Sequence, residues 1–201
     1  MSILDTDEIK SIREHLISRG LDPDRTGVVV DEKNKRACFF LYNLSGKLIG
    51  YQQYNPTGSK DLGHQKRGDE SLKDLMKYYT YVSGHRQDKT KELAVWGLDS
   101  YKLDSPVLFI VEGVFDAVSL QNAKVSAIAI LSNDPSPQML SWLRTLPQKR
   151  IVIRDNDMAG NKLAKAGHVD YTVPSPYKDL NEMPQEKVNE LVQQILQKEQ
   201  R

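Results

Sequence analysis

The stretch IVIRDNDMAG, residues 151–160, decides how this chain is read. Ile151 to Arg154 is short and rich in β-branched residues, the composition of a buried strand. It runs directly into Asp155-Asn156-Asp157. Gly160 follows, and NKLAKAGH then reads as helix. Two carboxylates two residues apart at the end of a buried strand repel one another and are costly to desolvate. Either they hold a cation, or they cap the following helix and form a surface turn.

Working outward from this stretch, strands and helices alternate. VLFIV (107–111) is a short apolar run, followed by a helix over FDAVSLQNA. SAIAIL (126–131) is the next strand, and PQMLSWLRTL the next helix, with Pro137 at its start. After RIVIR (150–154) come the helix-like NKLAKAG and a strand over HVDYTV (168–173). Residues 185–198 form a charged amphipathic helix with Val188, Leu191, Val192, Ile195 and Leu196 on one face. This alternation predicts an α/β fold with a mainly parallel sheet and helices on both faces. Ligands of such sheets bind at the carboxyl ends of the strands. Glu112 directly follows VLFIV, and Gly113 permits a tight turn. If the two strands are neighbours, Glu112, Asp155 and Asp157 converge. An oxygen-only donor set of this kind suits Mg²⁺ or Mn²⁺.

The first hundred residues read differently. Ile9, Ile12, Leu16 and Ile17 recur at helical spacing within 5–19, with Asp5 or Thr6 as cap and Gly20 as stop. GVVVD, KRACFFLYNL and KLIGYQQYN read as strands, the last two joined by a Ser45-Gly46 turn. Residues 55–92 are polar and read as a long connection. The expected division is a small α+β basic lobe over 1–100 and an α/β domain over 101–201.

Composition narrows the function. The 201 residues carry 28 Lys and Arg against 27 Asp and Glu, a formal net charge of +1. Contact with nucleic acid therefore needs a local basic face. The single cysteine, Cys38, cannot form an intramolecular disulfide or a zinc knuckle and reads as a buried strand residue in a reducing compartment. His64, His85 and His168 show no metal-ligand spacing, and Trp96 and Trp142 read as core. The N-terminus has no apolar signal region, and no run is long enough to span a bilayer. A cytoplasmic protein without membrane contact is expected.

VLFIVEGVFDAVSL, SAIAIL and IVIRDNDMAGNKLA together resemble the TOPRIM domain, shared by bacterial-type primases, topoisomerases and certain nucleases. The resemblance implies that Glu112, Asp155 and Asp157 are the catalytic and metal-binding residues. It places Asp116 near the site, on the first turn of the helix after Glu112-Gly113. The D-x-D-x-A-G form ending at Gly160 is the version common in primases. PYKDLNEM resembles the segment after the last TOPRIM strand, which makes Lys178 and Asp179 further candidates; a plain turn capped by Asp179 or Asn181 is the alternative. Upstream, RACFFLYNLSGKLIGYQQYNP and KYYTYVSG followed by VWGLD resemble the primase core, where a lysine helps hold nucleotide phosphates. That lysine maps to Lys77. The loop after SAIAIL reads SNDPSP, where bacterial primases carry a small Gly-Thr-type turn.

The resemblance implies a DNA primase catalytic core of a phage or plasmid replication system. Such a core makes short primers on single-stranded DNA from nucleoside triphosphates by metal-dependent nucleotidyl transfer. Lys66, Arg67, Lys77, Arg86, Arg154 and Lys178 are the expected nucleotide or nucleic-acid contacts, with further lysines at 60, 89 and 91. Tyr78, Tyr79 and Tyr81 either stack on bases or pack in the core. No zinc module or helicase is legible, which suits delivery of the template by a separate helicase or single-strand-binding protein. A TOPRIM nuclease and a non-catalytic replication module remain as alternatives.

Overall fold

The computed structural model describes residues 9–25, 27–43, 45–65, 70–83, 93–156 and 159–199, with backbone only for 63–65 and 159–161. The chain divides into two compact units, Met1–Leu41 with Gly50–Ser83, and Tyr42–Ile49 with Gly84–Arg201.

In the first unit, α1 (Ile12–Ser18) buries Ile12 and Leu16. Its cap is Ser11, whose Oγ accepts from the Glu14 N–H at 3.2 Å. The expected caps, Asp5 and Thr6, lie outside the described residues. Gly20 ends the helix in the left-handed conformation, at φ +77°, as the sequence predicts. Strands β1 (Val28–Asp31), β2 (Arg36–Tyr42), β3 (Leu48–Tyr54) and β4 (Tyr78–Val82) form a sheet in the order β1-β2-β3-β4. The pairs β1/β2 and β3/β4 are antiparallel, with Val29 opposite Cys38 and Gln53 opposite Tyr79. Ala37, Phe39 and Leu41 of β2 are buried in strict alternation, which fixes the register by burial. Cys38 faces the other side and is only half-buried. Where the sequence reads as a long connection over 55–92, the described residues contain β4 and the short helix α2 (Lys60–Gln65).

In the second unit, β5 (Val107–Val111), β6 (Ala127–Ala129), β7 (Lys149–Arg154) and β8 (Val169–Thr172) form a parallel sheet in the order β6-β5-β7-β8. Between them run α3 (Val114–Asn122), α4 (Pro137–Leu143) and a 3-10 turn over Ala159–Ala166 where the sequence suggests an α-helix. Helix α5 (Gln185–Glu199) follows. Leu108, Ile110, Ile128 and Val152 face Met139 and Leu143 of α4. The alternate residues Phe109, Val111, Ile151 and Ile153 are equally buried, so both faces are covered. On the edge, Trp96 exchanges two backbone hydrogen bonds of 3.0 Å with Ala129. Tyr171 Oη donates to Glu199, whose carboxylate also meets Lys149 Nζ at 2.7 Å. These contacts hold the end of α5 against β7 and β8. No helix among the described residues is long and apolar enough to cross a membrane.

Candidate active site

Strands β5 and β7 are neighbours, with Ile110 opposite Val152. Glu112 leaves the end of β5 and Asp155 leaves the end of β7, so both carboxylates emerge at the carboxyl edge of adjacent parallel strands. Both are half-buried. The Glu112 carbonyl accepts from Leu131 N–H at 3.0 Å, which fixes the backbone of the first turn.

Gly113 caps α3 with extended backbone, φ −99°. A side chain there would place its Cβ 2.7 Å from Asp116 Oδ2. The missing methyl thus leaves room for the Asp116 carboxylate beside the Glu112-Gly113 turn. Asp116 Oδ1 accepts from Asn181 N–H at 3.3 Å.

On the other side, the Asn156 N–H donates to the Lys178 carbonyl at 2.8 Å. Asn156 Nδ2 donates to Ser175 Oγ at 3.1 Å and reaches the Tyr177 carbonyl at 3.5 Å. Asp179 caps the next turn by accepting from Glu182 N–H at 2.9 Å, while Glu182 Oε2 accepts from Lys178 N–H at 2.8 Å. The first bond is an N-cap, and the second reaches back to the residue before the cap, one position short of a reciprocal capping box. Segment 175–182 therefore bridges the turn at Gly113-Asp116 and the turn at Asp155-Asn156. Lys162 pairs with Asp134 at 3.0 Å, tying the SNDPSP loop to the chain beyond Gly160, which itself lies in the 3-10 turn.

Of the expected site residues, Glu112, Gly113, Asp116, Asp155, Lys178 and Asp179 are thus linked at one sheet edge. Arg154 Nε donates to Asp170 Oδ2 at 2.7 Å across β7 and β8. Asp157, Lys66, Arg67 and Arg86 lie outside the described residues. Among the described residues no three His, Cys, Asp or Glu side chains gather closely enough to hold a metal ion. The donors present, Glu112 and Asp155 with Asp116 nearby, are all carboxylate oxygens. They fit a hard divalent cation such as Mg²⁺ or Mn²⁺, with Asp157 the further donor implied by the sequence.

Lys77 lies in the first unit and belongs to a second cluster. Burial first, then Lys60 and Arg19, push its ammonium pKa below the usual value. Arg19 Nη1 donates to Tyr54 Oη at 3.1 Å and sits 5.7 Å from the centre of that ring. His15 Nε2 lies 2.8 Å from the same hydroxyl. Burial, then Arg19 and Lys77, lower its pKa from 6.5. Tyr78 stacks on Tyr54 at 5.2 Å, and Tyr79 is buried. Arg19 and His15 escape a sequence reading because only the folded helix brings them to Lys77. Asn156 escapes it because its partners lie 19 to 22 residues away. Glu182 carries a legible signal, the D-x-x-E spacing from Asp179.

A parallel sheet with acidic turns at the ends of adjacent strands places the second unit among α/β domains that gather carboxylates at a strand edge. Residues 109–187 match the Toprim-like family model, and the chain carries a Toprim-like domain. Its fold is that of DnaG primase catalytic cores. A DnaG primase catalytic domain bound to single-stranded DNA superposes with TM-score 0.55 at 18% identity, covering 92% of this chain and 58% of that one. The Aquifex aeolicus primase, with its zinc-binding and RNA polymerase domains, gives 0.59 at 18%, covering 93% and 46%. The primase fragment of the bacteriophage T7 primase-helicase gives 0.51 at 15%, covering 79% and 62%. The chain thus spans about half to three fifths of the primase chains it matches. No curated protein sequence matches it.

Proposed function

We propose that this chain is the catalytic core of a DNA primase, making short primers on single-stranded DNA in phage or plasmid replication. The observation that carries this reading is the placement of Glu112 and Asp155 at the ends of adjacent parallel strands, bridged by segment 175–182. Primer synthesis joins a 3′-hydroxyl to the α-phosphate of an incoming nucleoside triphosphate with loss of pyrophosphate. A bound Mg²⁺ or Mn²⁺ supplies charge neutralisation at the phosphates.

Glu112, Asp155 and Asp157 supply the oxygens that hold this cation. The backbones of Glu112 and Asp155 follow directly from paired strand ends, which suits a donor set arranged before substrate arrives. Lys178 offers a cation at the same edge for a phosphate oxygen. In the first unit, Lys77, Lys60 and Arg19 form a cationic cluster that suits a polyanion, either the triphosphate or the template backbone. Lys66, Arg67 and Arg86 are further candidates for those contacts. A helicase or single-strand-binding protein delivers the template, and the protein works in the cytoplasm.

The test is primer synthesis on single-stranded DNA with labelled nucleotides and Mg²⁺ or Mn²⁺, beside Asp155→Asn. Short labelled products from the wild type, reduced at least about a hundredfold in the variant, are expected. Metal-dependent shortening of a labelled strand instead makes the protein a nuclease. Neither activity, with or without a helicase, makes it a non-catalytic module.

A further inference from the structure

The middle residue of the acidic turn has contacts that neither strand supplies. Asn156 is exposed, yet it makes three bonds to a segment some twenty residues on: its N–H to the Lys178 carbonyl at 2.8 Å, and its amide to Ser175 Oγ at 3.1 Å and the Tyr177 carbonyl at 3.5 Å. Both flanking carboxylates are expected to face a cation. The residue between them is turned to a different task.

The segment it grips carries Lys178, which is exposed and, among the described residues, forms no ion pair. From Lys178 the hydrogen bonds continue through Glu182 and Asp179, and Asn181 reaches Asp116 on the opposite turn. The segment is therefore held at two ends: by Asp116 on the side of Glu112, and by Asn156 on the side of Asp155. At the Asp116 end, Asn181 N–H donates to Asp116 Oδ1 at 3.3 Å. The Asn156 end has the short backbone bond and the side-chain amide, and it is the end nearest Lys178.

We propose that Asn156 is a positioning residue. Its amide fastens segment 175–178 to the acidic turn and so fixes Lys178 as the cation that receives a nucleotide phosphate at that edge. This rests on reading the acidic edge as a metal–nucleotide site. A glycine or alanine between the two aspartates would leave the carboxylates in place but remove the side-chain half of the grip. Lys178 would then sample positions away from the phosphate, and nucleotide affinity would fall while metal affinity stayed.

The experiment uses the full chain with Asn156→Ala, Lys178→Ala, the double variant, and Ser175→Ala, which removes the side-chain acceptor without touching the acidic turn. Each is titrated by calorimetry with Mn²⁺ alone and with a nucleoside triphosphate in Mn²⁺. Backbone amide exchange over 174–182 is followed in parallel. Expected are faster exchange at Lys178 and Glu182 in Asn156→Ala and Ser175→Ala, and about tenfold weaker nucleotide binding in Asn156→Ala and Lys178→Ala. The double variant loses no more than either single variant, and affinity for Mn²⁺ alone changes less than about twofold. Additive losses in the double variant, or unchanged exchange in Asn156→Ala, overturn the proposal. If the wild type binds no Mn²⁺-nucleotide, the reading of the acidic edge falls with the role given to Lys178, and amide exchange still decides whether Asn156 holds the segment.

Discussion

At Gly113 a single methyl group decides how close the Asp116 carboxylate can stand to the turn that carries Glu112. The backbone there is extended, so any residue can adopt it. What forbids a side chain is the 2.7 Å separation between its Cβ and Asp116 Oδ2. The Asp116 side chain is short, and it is also the acceptor for Asn181 N–H. It can give way only by loosening that bond. Gly113→Ala should therefore fold, with a stability loss of roughly 0.5–1.5 kcal/mol, seen as a drop of a few degrees in Tm. Affinity for Mn²⁺ or Mg²⁺ should fall more than that stability loss suggests, because the displaced carboxylate lies beside Glu112. Calorimetry of metal binding beside a thermal melt separates the two. A variant that loses stability but keeps full metal affinity would remove Asp116 from the site.

Among the elements, α1 shows how a short helix is made to hold. Seven residues are too few to be stable alone. Glu32, just past the end of β1, accepts from Arg13 N–H at 2.9 Å, Ser11 Oγ at 2.9 Å and Ile12 N–H at 3.1 Å. The bond from Arg13 N–H has the largest effect on its acidity, burial opposes it, and the bonds from Ser11 and Ile12 add to it. Together they lower its pKa from 4.5 to about 2. A depressed carboxylate pKa stabilises the fold above the unfolded value, and that contribution is lost as pH falls through the folded one. Glu32→Gln should thus lower the urea midpoint at pH 7, and the gap to wild type should close as pH falls from about 4.5 towards 2. A constant gap across pH 7, 4.5 and 3 would mean that the charge of Glu32 does not stabilise α1. The same contact explains what the sequence hid. The helical spacing of Ile12 and Leu16 was legible, but the start of α1 is set by Ser11 and a turn residue 21 positions on. Strand β4 was missed because YYTYV sits in a polar stretch and becomes a strand only by pairing with β3, Tyr81 opposite Tyr51. The parallel sheet was legible because β5, β6 and β7 hold continuous apolar runs, and Glu112 and Asp155 because they stand directly after two of those strands. Arg19 and Asn156 were not, since their chemistry depends on partners far along the chain.

For the whole molecule the net charge of +1 conceals a division of labour. The second unit gathers Glu112, Asp116 and Asp155 at one sheet edge, while the first gathers Arg19, Lys60 and Lys77. The depressed pKa of Lys77, caused by burial and then by Lys60 and Arg19, means that its site favours an added negative charge. An arriving phosphate relieves the repulsion among these cations, and each neutralised phosphate releases a counterion. Binding to single-stranded DNA should therefore weaken steeply with salt despite the near-neutral chain. If Lys77 contacts one phosphate, Lys77→Gln should reduce the slope of log K against log salt by about 0.7 and weaken binding to different sequences alike. Fluorescence anisotropy with a labelled oligonucleotide at a series of salt concentrations measures this directly. Arg19→Lys keeps the charge but not the fork that reaches Tyr54, so it should leave the slope nearly intact while lowering Tm. An unchanged slope in Lys77→Gln would move the template to another face and leave the cluster of the first unit to the triphosphate alone.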